Sequence, residues 1–170
     1  IGDIQSNLPP ELHHVLTHRY QDRILFYPTS LCAGHCRYCF RRRVVGNKNL
    51  NLTEKQVTAA VEYVSAHTTI QEVIFSGGDP LMLEDQNLFS LCQRFKEIAH
   101  VRILRIHTRV PAWNPARVTS TLIDGLANYQ PLWLVTHFNH PRELTLHAQE
   151  AISRCCDAGI AVLNQSVLLR

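Results

Sequence analysis

The sequence predicts an α/β fold built on a parallel β-sheet. Short runs rich in β-branched and aromatic residues alternate with amphipathic helical segments, and only a few residues connect one to the next. The runs are too apolar for strands that expose one face to water, so they indicate strands covered on both faces. Such an alternation is typical of βαβ units with right-handed crossovers. With 170 residues, of which 45% are hydrophobic, the chain is long enough for one globular domain.

Five strands are predicted from these apolar runs. In chain order they are RILFYPT (23–29), EVIFS (72–76), RILRIHT (102–108), LWLVTHF (132–138) and AVLNQSVLL (161–169). Each run has the β-branched and aromatic content of a buried strand. Because helical segments separate the runs, neighbouring strands are expected to pair in parallel.

The first two predicted helices follow the first and second strands. Thr53 and Gln56 form a capping box at the start of the first helix, and apolar residues then recur at helical spacing. The second helix presents one apolar face, made of Leu88, Leu91, Cys92, Phe95 and Ile98. Both segments are therefore expected to be amphipathic crossover helices.

The other two predicted helices follow the third and fourth strands. Asn114 is a suitable cap, and Pro115 occupies the first helical position of a helix that runs to Leu126. The last helix spans 143–158 and ends before Gly159, a residue that suits the left-handed turn after a helix.

The composition excludes several classes of protein. The net charge is only +3, and basic residues are dispersed apart from the run at 41–43, so a protein that coats nucleic acid is not expected. No stretch approaches the roughly 18 apolar residues of a membrane helix, and the chain does not open on a signal-peptide pattern. The six cysteines follow no disulfide framework and fit reduced thiols. We therefore expect a soluble cytoplasmic protein.

The unusual polar residues fall at one end of the predicted strands. The cysteine loop follows the first strand, and SGGDP (76–80), TRVP (108–111) and THFNHP (136–141) follow the next three, while NQS (164–166) lies within the fifth. Loops at the carboxyl ends of parallel strands converge on one edge of the sheet, where α/β proteins place their sites. The sequence therefore predicts a site at this edge.

The loop after the first strand concentrates three cysteines, Cys32, Cys36 and Cys39, within eight residues. A structural zinc site would require four ligands, and no second cysteine pair is present, although His35 is adjacent. Inert core cysteines are not expected in so polar a loop. A four-iron cluster held by three thiolates would keep one iron open for a ligand such as an amino acid. The spacing favours this iron–sulfur interpretation.

Two neighbouring segments have more than one interpretation. Gly77 and Gly78 would let the backbone approach a ligand closely, and Asp79 would accept a hydrogen bond from an ammonium group. A tight turn without a ligand is the alternative for this segment. The arginine run at 41–43 could be a nucleic-acid patch, but it has no interleaved aromatic residues and no wider basic face.

The CxxxCxxC spacing, with the aromatic Tyr38 just before the last cysteine, resembles the signature of the radical S-adenosylmethionine (SAM) superfamily. The resemblance implies a partial (β/α)₆-type barrel, of which about five βα units are present in this chain. It also implies a [4Fe–4S] cluster bound by the three cysteines, an external electron donor, and cleavage of SAM to a 5′-deoxyadenosyl radical. The residues expected to bind SAM are Tyr38, Ser76, Gly77, Gly78, Asp79 and His137.

Six segments, in order, resemble the lysine 2,3-aminomutase family, which includes enzymes that form β-lysine for modifying elongation factor P. They are HRYQDRILF, CRYCFRRR, SGGDPLML, LRIHTRVP, THFNHP and AGIAVLNQSVLLR. The resemblance implies pyridoxal 5′-phosphate (PLP), joined to the substrate amine as an imine, with contacts from Arg19, Arg23 and Gln165. It assigns Arg41 to the carboxylate of the substrate. The implied reaction moves an α-amino group to the β-carbon of an amino acid, with L-lysine expected and L-glutamate as the alternative.

Each of these assignments has an alternative. Arg19 and Arg23 could be solvated charges before a strand, and His137 and His140 could be ordinary loop histidines or metal ligands. Arg109 is expected either to be structural or to support the cofactor site. For the whole protein, the alternatives are a radical SAM enzyme without PLP and a zinc-containing RNA-binding module.

The resemblance is incomplete in one respect. A PLP enzyme needs a lysine for its resting Schiff base, and Lys48, Lys55 and Lys96 lie in no segment that matches the family's cofactor lysine. We therefore expect residues 1–17 to be a lead-in and residues 18–170 to be a barrel truncated at its carboxyl end and inactive alone. The expected partners are a small amino-acid substrate and the electron donor, without nucleic acid or membrane, and a homo-oligomer is left open.

Overall fold

The computed structural model describes residues 8–47 and 51–168. Within these residues, six strands form one sheet whose spatial order is the order of the chain. The strands are β1 (Leu16–Tyr20), β2 (Arg23–Thr29), β3 (Glu72–Gly77), β4 (Ile103–Thr108), β5 (Leu132–Thr136) and β6 (Ala161–Asn164). Strands β2 to β6 pair in parallel, as predicted. The result is a partial β/α barrel, which confirms the predicted fold class.

The sequence does not predict strand β1. It pairs antiparallel with β2, and its register is irregular between Thr17 and Tyr20. Its sequence, LTHRY, has no apolar run, and the residues that join it to β2, Gln21 and Asp22, include no glycine to mark a hairpin. Both signals by which a strand is found in a sequence are therefore missing here.

The last two strands end earlier than predicted. β5 stops at Thr136 and β6 at Asn164, whereas the apolar runs continue to residues 138 and 169. The backbone N–H of Phe138 donates to the side-chain oxygen of Asn164 instead of joining the ladder. The chain leaves the sheet at these points to form loops, and residue 169 lies outside the described residues.

The helices of the described residues lie on the connections between strands. They are α1 (Glu54–Ala66), α2 (Asp85–Lys96), α3 (Val110–Trp113), α4 (Ser120–Ala127) and α5 (Leu146–Asp157). α1 begins as predicted, because Thr53 and Gln56 form both hydrogen bonds of the capping box. Gly159, which follows α5, has a φ of +76°, the left-handed conformation that the sequence predicts for it.

The predicted start of the third helix is wrong. Asn114 makes no side-chain capping bond, and Val118 has a ψ of +70°, which a continuing helix does not allow. Thr119 instead accepts a hydrogen bond from the N–H of Leu122, so the helix begins at Ser120. The proline at position 115 opens only a short turn that precedes α4.

The two faces of the sheet have different surroundings. One face consists of buried apolar side chains such as Phe26 and Phe75, and both rings contact Phe95 of α2. The opposite face, which we call the inner face, is defined by the paired residues Leu25, Ile74, Arg105, Trp133 and Ala161 and by His107 and Val135. Side chains alternate between faces along a strand, so the strand register fixes which polar groups reach the inner face.

The lead-in segment belongs to the same core. Leu8, Leu12 and Leu16 are buried within the hydrophobic cluster that the strands and helices share. The boundary expected between residues 17 and 18 falls inside β1, so the described part of the lead-in is integral to the fold. Among the described residues, no helix is both long and apolar enough to cross a membrane.

Candidate active site

The predicted cysteine loop connects β2 to α1 at the carboxyl edge of the sheet. Cys32, Cys36 and Cys39 are half-buried free thiols in this loop. In the part of the chain that the structure describes, no three His, Cys, Asp or Glu side chains form a group that could hold a metal ion. The fold therefore brings the three cysteines into one loop without gathering their sulfurs into a ligand set.

The three thiols nevertheless influence one another electrostatically. Burial raises the pKa of Cys32 to about 12, and the charges of Asp79, Cys39 and Cys36 act in the same direction. Three thiolates at this place would repel one another, and a bound cationic group would relieve the repulsion. The residue types, three cysteines in one loop, suit a metal group held by thiolates, such as an iron–sulfur cluster, although their sulfurs do not converge in this structure.

The SGGDP segment lies directly against the cysteine loop. The N–H of Gly78 donates to the carbonyl of Thr29 at 2.9 Å, and the N–H of Asp79 donates to the carbonyl of Leu31 at 2.6 Å. A Cβ on Gly78 would lie 2.3 Å from the Leu31 carbonyl oxygen, and Gly77 has a φ of +103°. Only glycine allows this approach of two backbones. The backbone of the SGGDP segment therefore does approach another group closely, and that group is the backbone of the cysteine loop.

Asp79 is 5% exposed and joins the loops after β3 and β4. Its carboxylate accepts hydrogen bonds from the Thr108 hydroxyl at 2.6 Å, the Leu81 N–H at 3.1 Å and the Arg109 N–H at 2.7 Å. Burial raises the pKa of Asp79, and these hydrogen bonds oppose the rise. A contact between Asp79 and the ammonium group of SAM stays a prediction, because protein donors already occupy most of the carboxylate. Ser76 is half-buried near the end of β3.

Arg109, the first residue after β4, contacts the cysteine loop. Its Nη1 donates to the sulfur of Cys36 at 2.9 Å, and its Nη2 donates to Glu143 at 2.8 Å. The centre of its guanidinium lies 4.8 Å from the ring centroid of Trp113 and 5.7 Å from that of Tyr38. Of the two roles expected for Arg109, this geometry favours support of the cysteine loop.

A closed set of contacts links the loops after β2, β4 and β5. The amide of Asn139 donates to the hydroxyl of Tyr38, and the N–H of Asn139 donates to Glu143 at 3.0 Å. Because Glu143 also binds Arg109, the set leads from the cysteine loop through the other two loops and back. We call Cys36, Tyr38, Arg109, Asn139 and Glu143 the loop network.

The sequence did not single out two residues of this site, Trp113 and Glu143. Trp113 packs so tightly on Gly34 that a Cβ at Gly34 would lie 1.2 Å from an indole carbon. Glu143 completes the loop network from a short turn after β5. The contacts that bring them to the site, Trp113 with Gly34 and Glu143 with Arg109, join residues that are distant in sequence, so no local pattern reveals them. Asn139 at least lies inside the THFNHP segment that the sequence singles out.

The NQS segment is joined to the loop after β5 by hydrogen bonds. Asn164 accepts a hydrogen bond from the N–H of Phe138 at 2.8 Å, and the hydroxyl of Ser166 donates to the Phe138 carbonyl at 2.7 Å. Gln165, which the resemblance assigns to PLP, is exposed, and its N–H donates to the carbonyl of Thr136 at 2.8 Å. The predicted convergence of these two segments is therefore confirmed by direct contacts.

Arg41 is the residue of the arginine run that turns inward. The centre of its guanidinium lies 3.9 Å from the ring centroid of Tyr27, near the carboxyl end of β2. Its Nε is buried and has no hydrogen-bond partner among the described residues. Arg42 and Arg43 are exposed. Arg41 thus offers a permanent positive charge and an unused N–H donor.

His107 and His137 lie side by side, with ring centroids 6.1 Å apart. Burial lowers the pKa of His107 from its ordinary 6.5 to about 4, and the charges of His137 and Arg105 act in the same direction. Burial also lowers the pKa of His137, although a hydrogen bond with the Gln165 backbone opposes this effect. Both imidazoles are therefore neutral at pH 7 and can each donate and accept one hydrogen bond.

We expect His107 to make the fold less stable in mild acid. The unfolded chain takes up a proton on His107 below pH 6.5, whereas the folded chain does so only near pH 4. This part of the stability is complete above pH 6.5 and is lost as the pH falls towards 4, by up to about 3 kcal/mol. Denaturant titrations between pH 7 and 4 should show a smaller loss of unfolding free energy in His107→Gln. The exposed His147→Gln variant should follow the parent protein, and equal pH dependence in all three proteins would contradict the expectation.

The arginines assigned to PLP lie at the other end of β2. Arg23 begins the strand, so about 20 Å of extended chain separates it from the cysteine loop. Arg23 pairs with Asp22 at 2.7 Å and with Glu72 at 3.5 Å, while Arg19 is exposed on β1. Arg105 also pairs with Glu72, and its buried Nε has no hydrogen-bond partner in residues 8–47 and 51–168. Arg19 and Arg23 therefore do not cluster with the cysteines, whereas Gln165 lies at the carboxyl edge of the sheet.

The described lysines lie away from the inner face. Lys55 is on α1 and Lys96 is on α2, the helices whose apolar residues join the core under the opposite face of the sheet. Lys48 lies outside the described residues. Neither of the two described lysines is therefore placed for a Schiff base on the inner face.

Comparison with a protein family gives a match over most of the chain. Residues 26–170 match the family described as the radical SAM superfamily. The match covers every strand from β3 to β6, most of β2, the cysteine loop and all members of the loop network.

Curated relatives add a narrower similarity. The chain is 45% identical over 154 residues to an L-lysine 2,3-aminomutase of Acetoanaerobium sticklandii, and 41% identical over 156 residues to one of Haemophilus influenzae. It is 36% identical over 154 residues to a glutamate 2,3-aminomutase of Clostridioides difficile. These alignments cover 91% of this chain and 37%, 46% and 36% of the relatives, so the chain spans between a third and a half of their length.

Proposed function

The chain belongs to the radical SAM superfamily, and from this premise we propose that it forms the radical-generating part of an amino-acid 2,3-aminomutase, an isomerase, that acts on L-lysine. Membership of the superfamily implies a [4Fe–4S] cluster and SAM. The choice of lysine rests on relatives named for lysine, which are more similar to this chain than the relative named for glutamate. Membership argues against the zinc-containing RNA-binding module.

One observation supports the proposal above the others. The same loop that contains the three cysteines also turns Arg41 inward against Tyr27, with a buried N–H that the described residues leave unused. A site that generates a radical must hold its substrate close to the radical, and a fixed guanidinium is well suited to hold a carboxylate. The loop thus contains both cysteines that could bind a cluster and an arginine that could bind the carboxylate of the substrate.

Cys32, Cys36 and Cys39 would hold the cluster as thiolates. When bound in this way, a cluster with one open iron supplies the electron that cleaves the sulfonium of SAM. The electron must come from an external one-electron donor. The three cysteines are half-buried, and partial exclusion of water from them would protect a carbon radical from side reactions. The proposed SAM contacts beside it are Tyr38, Ser76, Gly77, Gly78, Asp79 and His137.

Arg41 would bind and orient the substrate carboxylate. Its planar guanidinium can form two parallel hydrogen bonds with a carboxylate, and its Nε has no hydrogen-bond partner among the described residues. The reaction exchanges an amino group and a hydrogen atom between adjacent carbons, so the orientation of these carbons decides which hydrogen is removed. The site therefore needs a rigid carboxylate anchor.

We expect Arg41→Gln to weaken substrate binding without affecting the cluster. Loss of a charged bidentate contact should raise KM by roughly 10- to 100-fold, which corresponds to about 1.4–3 kcal/mol. Iron and sulfide content should be unchanged. The matched control is Arg42→Gln, because Arg42 is exposed beside it and its loss removes the same charge. A KM that rises equally in both variants would contradict the assignment.

Residues Arg19, Arg23 and Gln165 are the proposed PLP contacts. The amino end of the inner face has polar donors for an anion, since Arg105 keeps a buried N–H without a partner in the described part of the chain. Arg23 is already paired with Asp22 and Glu72, so it would share its charge with a phosphate. When bound, PLP supplies a conjugated system that delocalises an unpaired electron on the substrate. The lysine that would anchor it is not among the described residues.

A product analysis tests the proposed activity. The intact enzyme, with reconstituted cluster, SAM, PLP and dithionite, is incubated with L-lysine or L-glutamate, and the 3-amino isomers are measured by mass spectrometry. β-Lysine that forms only when PLP is present supports the proposal, and β-glutamate in its place would overturn the substrate. Cleavage of SAM without either isomer would indicate a radical SAM enzyme of another kind.

A further inference from the structure

We propose that Arg109 is a positioning residue for Cys36 and that its charge raises the reduction potential of the cluster. The inference rests on the proposed function, because it concerns the cluster that the three cysteines would hold. It assigns a role to Arg109 and Glu143, two members of the loop network that lie outside the cysteine motif.

The position of Arg109 is fixed from several sides. Its backbone N–H donates to the buried carboxylate of Asp79 at 2.7 Å, which sets where the side chain starts. Its guanidinium is confined by the ring of Trp113 at 4.8 Å and by Glu143 at 2.8 Å, and the side chain is only 17% exposed. A side chain held in this way cannot easily turn to water. The surrounding residues therefore hold the guanidinium of Arg109 against the sulfur of Cys36.

The contact with Cys36 has a definite electrostatic consequence. Arginine stays protonated at all relevant pH values, and its Nη1 lies 2.9 Å from the Cys36 sulfur. A thiolate bound to iron keeps lone pairs that can accept this hydrogen bond. Reduction adds one electron, and no proton or bond changes, so the reduced cluster is one charge more negative. A positive donor at a ligating sulfur stabilises the reduced form more than the oxidised form and raises the potential.

Glu143 opposes this effect and supplies a second test. Its carboxylate binds the same guanidinium and compensates part of the positive charge. Glu143→Gln keeps an oxygen acceptor for Arg109 and for the N–H of Asn139 but removes the negative charge. The potential should therefore rise in Glu143→Gln and fall in Arg109→Gln. Arg109→Lys keeps the charge without the planar fork and should lie between the parent protein and Arg109→Gln.

The experiment is a redox titration of the reconstituted protein monitored by electron paramagnetic resonance (EPR), with iron and sulfide measured on the same samples. The expected result is a midpoint potential that shifts to more negative values in Arg109→Gln and to more positive values in Glu143→Gln. The matched control is Arg94→Gln, which removes a half-buried arginine paired with Glu54 between α1 and α2. Its potential should equal that of the parent protein.

The outcomes separate this inference from the proposed function. If the parent protein binds no cluster, the proposed function fails. If the parent protein binds a cluster but Arg109→Gln only lowers the iron content, and the remaining cluster keeps its potential, Arg109 is structural and the inference is wrong. Should Arg109→Gln fail to fold, Glu143→Gln still decides, because an unchanged or lower potential in that variant contradicts the inference.

Discussion

Replacing Cys36 with alanine is expected to abolish cluster binding. The three cysteines lie in one loop and are the proposed thiolate ligands, and a four-iron cluster held by only two of them would lack a second ligand. The loss of iron affinity should exceed the 10- to 100-fold that is typical for removal of a residue that only supports a ligand. Iron and acid-labile sulfide, measured after anaerobic reconstitution, should both fall to the background level.

The matched control is Cys156→Ala. Cys156 is an exposed cysteine on α5, outside the cysteine loop, so its removal tests for iron bound nonspecifically by thiols. This variant should retain the iron and sulfide of the parent protein. Unchanged iron content in Cys36→Ala, or equal losses in the two variants, would contradict the assignment of the cluster to this loop.

A methyl group at Gly78 is expected to destabilise the site, because it would collide with backbone atoms that cannot move separately. The Cβ of alanine would lie 2.3 Å from the Leu31 carbonyl oxygen and 2.7 Å from the Ser30 carbonyl carbon, both of which are backbone atoms. The SGGDP segment and the cysteine loop would have to separate, with loss of the hydrogen bonds to Thr29 and Leu31. Denaturant titration of Gly78→Ala should show a loss of roughly 2–4 kcal/mol of unfolding free energy.

Gly125→Ala is the control for the effect of a methyl group. Its Cβ would lie 2.1 Å from the outer end of the Phe89 ring, which can move, and position 125 lies inside α4, where alanine favours the helix by about 1 kcal/mol. The net change in unfolding free energy should therefore be within about 1 kcal/mol. A tolerated Gly78→Ala variant with full iron content would show that the close approach of the two loops is not required.

The parallel strands could be predicted because each contains a short run of apolar residues between turn or helix signals. Strands β2 to β5 bury apolar side chains and pair with a strand on each side, so the sequence of each contains its own signal. β1 has no such signal, because an antiparallel edge strand is stabilised by pairing with β2 and tolerates polar residues. The start of α4 was predicted wrongly for a related reason. Asn114–Pro115 and Thr119 are both good helix starts, and only the surrounding fold decides between them.

The candidate site was predictable where a motif is local and unpredictable where contacts are distant. The cysteine spacing and SGGDP are each read within a few residues, and the rule for parallel strands places them at one edge. The contact between Cys36 and Arg109 joins residues 73 positions apart, and its further partner Glu143 lies another 34 positions away. Nothing in the cysteine loop itself specifies these partners. The hydrogen bonds of Asp79 could not be predicted for the same reason, because two of its donors come from Thr108 at the end of β4 and from Arg109.

EPR of the reduced, reconstituted protein before and after addition of SAM tests the central claim most directly. A cluster with one iron free of cysteine should bind SAM at that iron, so its spectrum should shift when SAM is added. Cys156→Ala should show the same shift, and Cys36→Ala should show no cluster signal. A reduced cluster whose spectrum is indifferent to SAM, or stoichiometric zinc in place of iron, would contradict the claim that this loop forms a radical-generating centre.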